Sequence, residues 1–95
     1  MIAALGGNDK VDALGGEDFV CGSGGNDKIK GAGKADSLRG GGGDDHVKGG
    51  NGGDVIQGKG GNDNLVGGRG GDVLKGGGGS DSCRGGSGSD SKHSC

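Results

Sequence analysis

Proline, tryptophan and tyrosine are absent from this chain of 95 residues, and Phe19 is its only aromatic residue. Lacking proline and a three-residue glycine period, it cannot be a collagen-like triple helix. Lacking aromatic stacking partners, and with a formal net charge of −2, its Arg-Gly-Gly triplets at Arg39, Arg69 and Arg84 do not make an RNA-binding box. Glutamate occurs once, at Glu17, and no twelve-residue loop surrounds it, so an EF-hand is excluded. No apolar run approaches membrane-spanning length, and Met1-Ile2-Ala3-Ala4-Leu5 is too short for a signal-peptide core. Three cysteines are an odd number, which leaves at least one unpaired and implies no disulfide framework. Hydrophobic mass is scarce as well. The apolar fraction is 25%, while 31 residues are glycine, the residue that loses most conformational freedom on folding. An ordinary hydrophobic core cannot hold such a chain, so either it is disordered or something that is not protein helps it fold.

What the chain does have is a register. Ten of its twelve aspartates lie nine residues apart: Asp9, Asp18, Asp27, Asp36, Asp45, Asp54, Asp63, Asp72, Asp81 and Asp90. Two positions after each stands Val11, Val20, Ile29, Leu38, Val47, Ile56, Leu65, Leu74, Cys83 or Lys92, apolar in all but the last case. Two positions before each stands Gly, except at Lys34. Residues 1–5 form a lead segment and residues 6–95 form ten nonapeptides without insertion, the last of which (87–95) is expected to fray or to act as a polar cap. Each unit holds a glycine-rich turn ending in Asp, then a three-residue strand such as Lys28-Ile29-Lys30 whose middle residue points to one face. A unit this small cannot bury its apolar residue alone and must stack on others. In a two-sheet roll two nonapeptides make one coil, so residues eighteen apart become stacked neighbours. Asp9, Asp27, Asp45, Asp63 and Asp81 then share one turn edge, and Asp18, Asp36, Asp54, Asp72 and Asp90 share the other.

Neighbouring strands lie about 4.8 Å apart, so unscreened carboxylates along each edge would repel and unfold the roll. A divalent cation between consecutive turns reverses that, and hard carboxylate and carbonyl oxygens favour Ca²⁺ over a transition metal. Lys10, Lys28, Lys30, Arg39, Lys48, Lys75 and Arg84 flank the inward positions, giving mildly basic outer faces that keep the sheets soluble. With around eight Ca²⁺ bound, the formal charge would move from −2 to about +14 and could attract anionic partners. His46 and His93 face outward with no partners placed for zinc or catalysis. Gly53 to Lys59 has phosphate-loop spacing, but Gly60 stands where Ser or Thr must hold Mg²⁺. Cys21 reads as a surface thiol and Cys83 as a small core filler, too far apart to bridge, and Cys83 could meet Cys95 only if the C-terminus frays. A complete array leaves no place for a catalytic pocket, so no enzyme is expected within these residues.

The repeat resembles the RTX (repeats-in-toxin, haemolysin-type) calcium-binding family, whose pattern is G-G-x-G-x-D-x-U-x. Gly40-Gly41-Gly42-Gly43-Asp44-Asp45-His46-Val47-Lys48 fits it throughout, as do the units ending at Gln57 and Lys75. The resemblance covers residues 6–95. It implies an all-β, right-handed parallel β-roll, a two-sheet β-solenoid of about five coils with Ca²⁺ between stacked turns. The ten ladder aspartates and the turn carbonyls would be the ligands. It also implies a secreted, extracellular protein that leaves the cell by type I export and folds on meeting calcium. Such arrays are usually followed by a capping segment and an export signal. Neither follows Cys95, so the chain is expected to be a non-catalytic piece of a larger secreted protease, lipase, toxin or adhesin. Expected partners are calcium ions and further domains of that protein, with neither nucleic acid nor a membrane span. Departures from the pattern fall at Ala4-Leu5, Ala13-Leu14, Ser23, Ala32, Lys34 and Lys59. They point to the stretch between Asp27 and Asp90 as the best-formed part.

Overall fold

Each nonapeptide carries the chain once across the molecule, so successive strands enter alternate sheets. The structure, a computed structural model, describes residues 2–3, 7–8, 10–12, 19–22, 24–88 and 90–93. One sheet has six strands in the order β1 (Ile2–Ala3), β3 (Phe19–Cys21), β5 (Ser37–Arg39), β7 (Val55–Gln57), β9 (Val73–Lys75) and β11 (Ser91–His93). The other has five, in the order β10 (Ser82–Arg84), β8 (Asn64–Gly68), β6 (His46–Gly50), β4 (Lys28–Lys30) and β2 (Lys10–Asp12). Every pairing is parallel, and partners are eighteen residues apart, as in Ile29↔Val47 and Leu38↔Ile56. The architecture is a two-sheet parallel β-solenoid, a β-roll of several coils, as the eighteen-residue frame predicts. Its extents are 31 × 27 × 13 Å, a thin slab.

The core is one line of side chains per sheet, drawn from the middle strand position. Val20, Ile29, Leu38, Val47, Ile56, Leu65 and Leu74 are all at most 1% exposed, and Val11 and Cys83 pack against the two ends of the cluster. The alternation follows from the pleat, because a three-residue strand can turn only its central side chain inward. Lys92 stands at the inward position of β11, yet all three residues of that strand are exposed, so the buried line stops short of it. Cys21 is a free thiol. Cys83, read from the sequence as a core filler, fills that place and is disulfide-bonded as well. Lys10, Lys28, Lys30, Arg39, Lys48, Lys75 and Arg84 are exposed on the outer faces, as are His46 and His93.

Candidate metal centre

The turns stack on one another more closely than side chains would permit. Gly70, at φ +100°, sits directly over the carbonyl oxygen of Gly52 in the preceding coil, so it needs both the left-handed backbone and the absence of a Cβ. The same two turn positions, two and four residues before the ladder Asp, take positive φ along the described array. Where the sequence departs from glycine the conformation persists: Ala32, Lys34 and Lys59 stand at φ 70°, 71° and 77°. The stacking requirement therefore outweighs the local cost of a left-handed L-residue.

This stacking places the ladder aspartates in two buried columns. Asp27, Asp45 and Asp63 line one edge and Asp36, Asp54 and Asp72 the other, each at most 3% exposed. Asp81 and Asp90, in the last described turns, are partly exposed. Asp9 and Asp18, also expected in the ladder, lie outside the described residues. Each Asp donates its backbone N–H to Oδ1 of the Asp one coil further on. On the first edge Asp27 bonds to Asp45, Asp45 to Asp63 and Asp63 to Asp81, at 2.8–2.9 Å. On the second edge Asp36 bonds to Asp54, Asp54 to Asp72 and Asp72 to Asp90, over the same range. One oxygen of each carboxylate is thus spent on cross-linking coils, a role the nine-residue spacing alone does not reveal.

The second oxygen is the one with unmet need. Oδ2 of Asp45, Asp54, Asp63, Asp72 and Asp81 is buried and receives no hydrogen bond. It lies against the glycine five residues upstream, beside a carbonyl of the next coil. A Cβ built on Gly31 would lie 2.5 Å from Asp36 Oδ2 and 2.8 Å from the Gly49 carbonyl oxygen. On Gly22 it would lie 2.6 Å from Asp27 Oδ2 and 2.7 Å from the Gly40 carbonyl oxygen. Gly40, Gly49, Gly58, Gly67 and Gly85 abut the Oδ2 of their own Asp in the same way. Glycine here serves to leave space, because at these positions φ is not left-handed. The glycine five residues before each ladder Asp is visible in the repeat pattern, but spacing alone does not give this cause.

A buried anionic oxygen without a donor is costly, and the protonation equilibria reflect it. Burial pushes the Asp45 carboxyl from 3.8 up to about 7. The backbone hydrogen bond pulls it down, and the neighbouring Asp63 and Asp27 charges add to the rise. Asp54 is raised to about 6 by burial, with Asp72 and Asp36 contributing in the same sense. Asp63 and Asp72 are raised too, again chiefly by burial. Among the described residues no three His, Cys, Asp or Glu side chains converge. The donor set at each cradle is therefore one carboxylate oxygen together with backbone carbonyls. Such hard oxygen donors in an adaptable turn fit Ca²⁺, which accepts six to eight oxygens in flexible geometry.

A second ladder runs outside the first. Asn26 donates its N–H to Asn8 Oδ1, Asp44 to Asn26 Oδ1, Asn62 to Asp44 Oδ1 and Ser80 to Asn62 Oδ1, at 2.8–2.9 Å. These residues immediately precede the ladder Asp on the first edge only. Sequence reading passed over them, although reading every eighteenth residue would have isolated the column Asn8, Asn26, Asp44, Asn62, Ser80.

No curated protein and no solved structure matches the chain. The sequence profile of the RTX calcium-binding nonapeptide repeat matches it over residues 1–29, 22–56 and 57–91. Those segments take in nearly every turn and strand described above, and the motif they define is structural and non-catalytic. With its glycine cradles, aspartate ladders and parallel coils, the chain belongs to the RTX calcium-binding nonapeptide repeat family.

Proposed function

We propose that this array binds several Ca²⁺ ions along its two turn edges and that binding drives its folding. The ligands are the ladder aspartates Asp9, Asp18, Asp27, Asp36, Asp45, Asp54, Asp63, Asp72, Asp81 and Asp90, acting with turn carbonyls. The observation that carries this reading is the repeated buried Oδ2 that receives no hydrogen bond and faces a carbonyl of the next coil. A cation there supplies the positive charge that seven thin core residues cannot replace. Because the cradles form only when coils stack, the free energy of binding becomes free energy of folding. Residues 6–95 act as the folding unit.

The RTX family is typically secreted. Extracellular calcium modules bind at ~10⁻⁴–10⁻³ M, a range that leaves the array empty inside a cell and filled outside. We place it accordingly in a secreted, type I-exported protein, as the calcium-triggered folding module beside whatever active domain that protein carries. Among the described residues no helix is long and apolar enough to cross a membrane.

Isothermal titration of the metal-free chain with Ca²⁺, and separately with Mg²⁺, tests the reading. Several Ca²⁺ per chain with a large heat of coupled folding, and little response to Mg²⁺, is expected. A single weak site, or equal responses to both ions, would contradict it.

A further inference from the structure

The outer face of the five-stranded sheet is a narrow ribbon of positive charge. Two in-register rows run along the roll axis, one beginning Lys10, Lys28, His46, the other containing Lys30, Lys48 and Arg84. All six side chains are exposed. Lys10 stands directly beside Lys28, and Lys30 beside Lys48, on strands about 4.8 Å apart. Like charges placed so are mutually destabilising, and Asp12 is the one carboxylate in either row.

Between the rows lies a shallow groove. One stretch of about 270 Å³ is lined by Lys28 and His46 on one side and Lys30 and Lys48 on the other. It continues into a stretch of about 350 Å³ lined by Lys10, Val11, Asp12, Lys28 and Lys30, where the Asp12 carboxylate offsets part of the positive charge. Strands of three to five residues make the ribbon only about 10–17 Å wide. A bilayer would meet little more than the lysine tips of so narrow a strip, whereas a single extended chain fits between the rows. Phe19, the only aromatic, belongs to the opposite sheet, so the face lacks the stacking platform that single-stranded nucleic acid uses.

We propose that this face binds an extended acidic polysaccharide, carboxylated or sulfated, laid along the roll axis with its anions against Lys28, Lys30 and Lys48. Lys10 extends the contact toward the first coil, and His46 lies on the strand that carries Lys48. The site is separate from the calcium cradles, although the rows exist only in the folded roll.

The test uses the full chain in saturating Ca²⁺, with far-UV circular dichroism on every sample, and short dextran sulfate as probe against uncharged dextran. The variant Lys30→Thr/Lys48→Thr is compared with Lys59→Gly/Lys75→Thr, which removes the same charge elsewhere. The expected result is binding of dextran sulfate alone. Affinity should fall about tenfold in the face variant and less than about twofold in the charge-matched one. Equal losses in both variants would mean diffuse charge or calcium bridging and would overturn the proposal. So would a folded chain that ignores dextran sulfate, or one that prefers oligothymidylate or anionic phospholipid vesicles. A chain that stays unfolded in calcium is recognised by its dichroism and would sink the calcium reading, and this one with it.

Discussion

The two turn edges share one aspartate ladder design but differ in everything around it. On the first edge the residue preceding the ladder Asp is Asn26, Asp44, Asn62 or Ser80, and its backbone is tied to the coil before through a side-chain oxygen. On the second edge the described residues at the same position are Ala35, Gly53 and Gly71, which have no side-chain oxygen to offer. There, backbone bonds such as Asn51 N–H to the Ala32 carbonyl and Arg69 N–H to the Gly50 carbonyl hold neighbouring turns. Among the described residues, the second edge also carries two of the three left-handed non-glycine residues, Ala32 and Lys34. The comparison separates what a calcium turn requires from what merely reinforces it. The buried Asp and the glycine beneath it are required on both edges, and the outer ladder is an addition on one. Turn geometry on the second edge should depend more heavily on the cation.

The largest effect should come from pH, because it acts on both edges at once. Folded-state values near 7 for Asp45 and near 6 for Asp54 lie above the ordinary 3.8, so the metal-free roll takes up protons on folding between those limits. Its stability should therefore rise as pH falls through 7 and 6 and level off below about 4. Calcium affinity should fall over the same range as protons compete for Oδ2. Far-UV circular dichroism should show metal-free samples gaining strand signal as pH falls through that range, and calcium-titration midpoints moving to higher concentration.

Next in size are single losses from the ladder. Asp72→Ala removes the acceptor for the Asp54 N–H and a buried ligand oxygen together, and should cost about 3 kcal/mol in calcium-saturated unfolding experiments. Asp63→Ala, on the reinforced edge, should cost less, and Asp12→Ala, on an exposed strand position, almost nothing. Equal effects at Asp72 and Asp12 would remove the ground for the ladder. Space beneath the carboxylate is tested by Gly67→Ala, whose methyl would fall on Asp72 Oδ2. It should cost about 1–3 kcal/mol, whereas Gly78→Ala meets nothing within 4 Å and should be neutral or slightly stabilising.

How much of this was legible in the sequence depends on which column is read. The inward line from Val20 to Leu74 and the division of aspartates between edges follow from periods of two, nine and eighteen, and the structure has both. The dual use of each carboxylate was not legible, because spacing says that carboxylates stack but not which oxygen meets the neighbouring amide. The glycine before each cradle was visible as glycine, yet its cause is the carboxylate five residues downstream and, as at Gly22 and Gly31, a carbonyl eighteen residues downstream. Lys34, a departure from the repeat's glycine, still adopts φ 71° and sits in a turn whose Asp36 is buried like the rest. The disulfide at Cys83 corrects the expectation that the cysteines carry no bridge: the register rules out Cys21 as its partner and allows Cys95 only with a frayed C-terminus.

Smaller effects sharpen the edge comparison further. Lys34→Gly should relieve left-handed strain on the second edge and raise stability by about 1 kcal/mol in thermal unfolding. Ala35→Asn would graft the outer ladder onto that edge by offering an oxygen to the Gly53 N–H. It should add about 0.5–1 kcal/mol and lower the calcium requirement slightly.

The most direct test of the central claim, that the aspartate ladders couple cation binding to folding, is far-UV circular dichroism during a Ca²⁺ titration at neutral pH with Mg²⁺ as control. The account predicts a cooperative rise of strand signal with Ca²⁺ alone, displaced to higher concentration by Asp72→Ala. A full strand signal before any calcium is added, or none by ~10 mM, would contradict it.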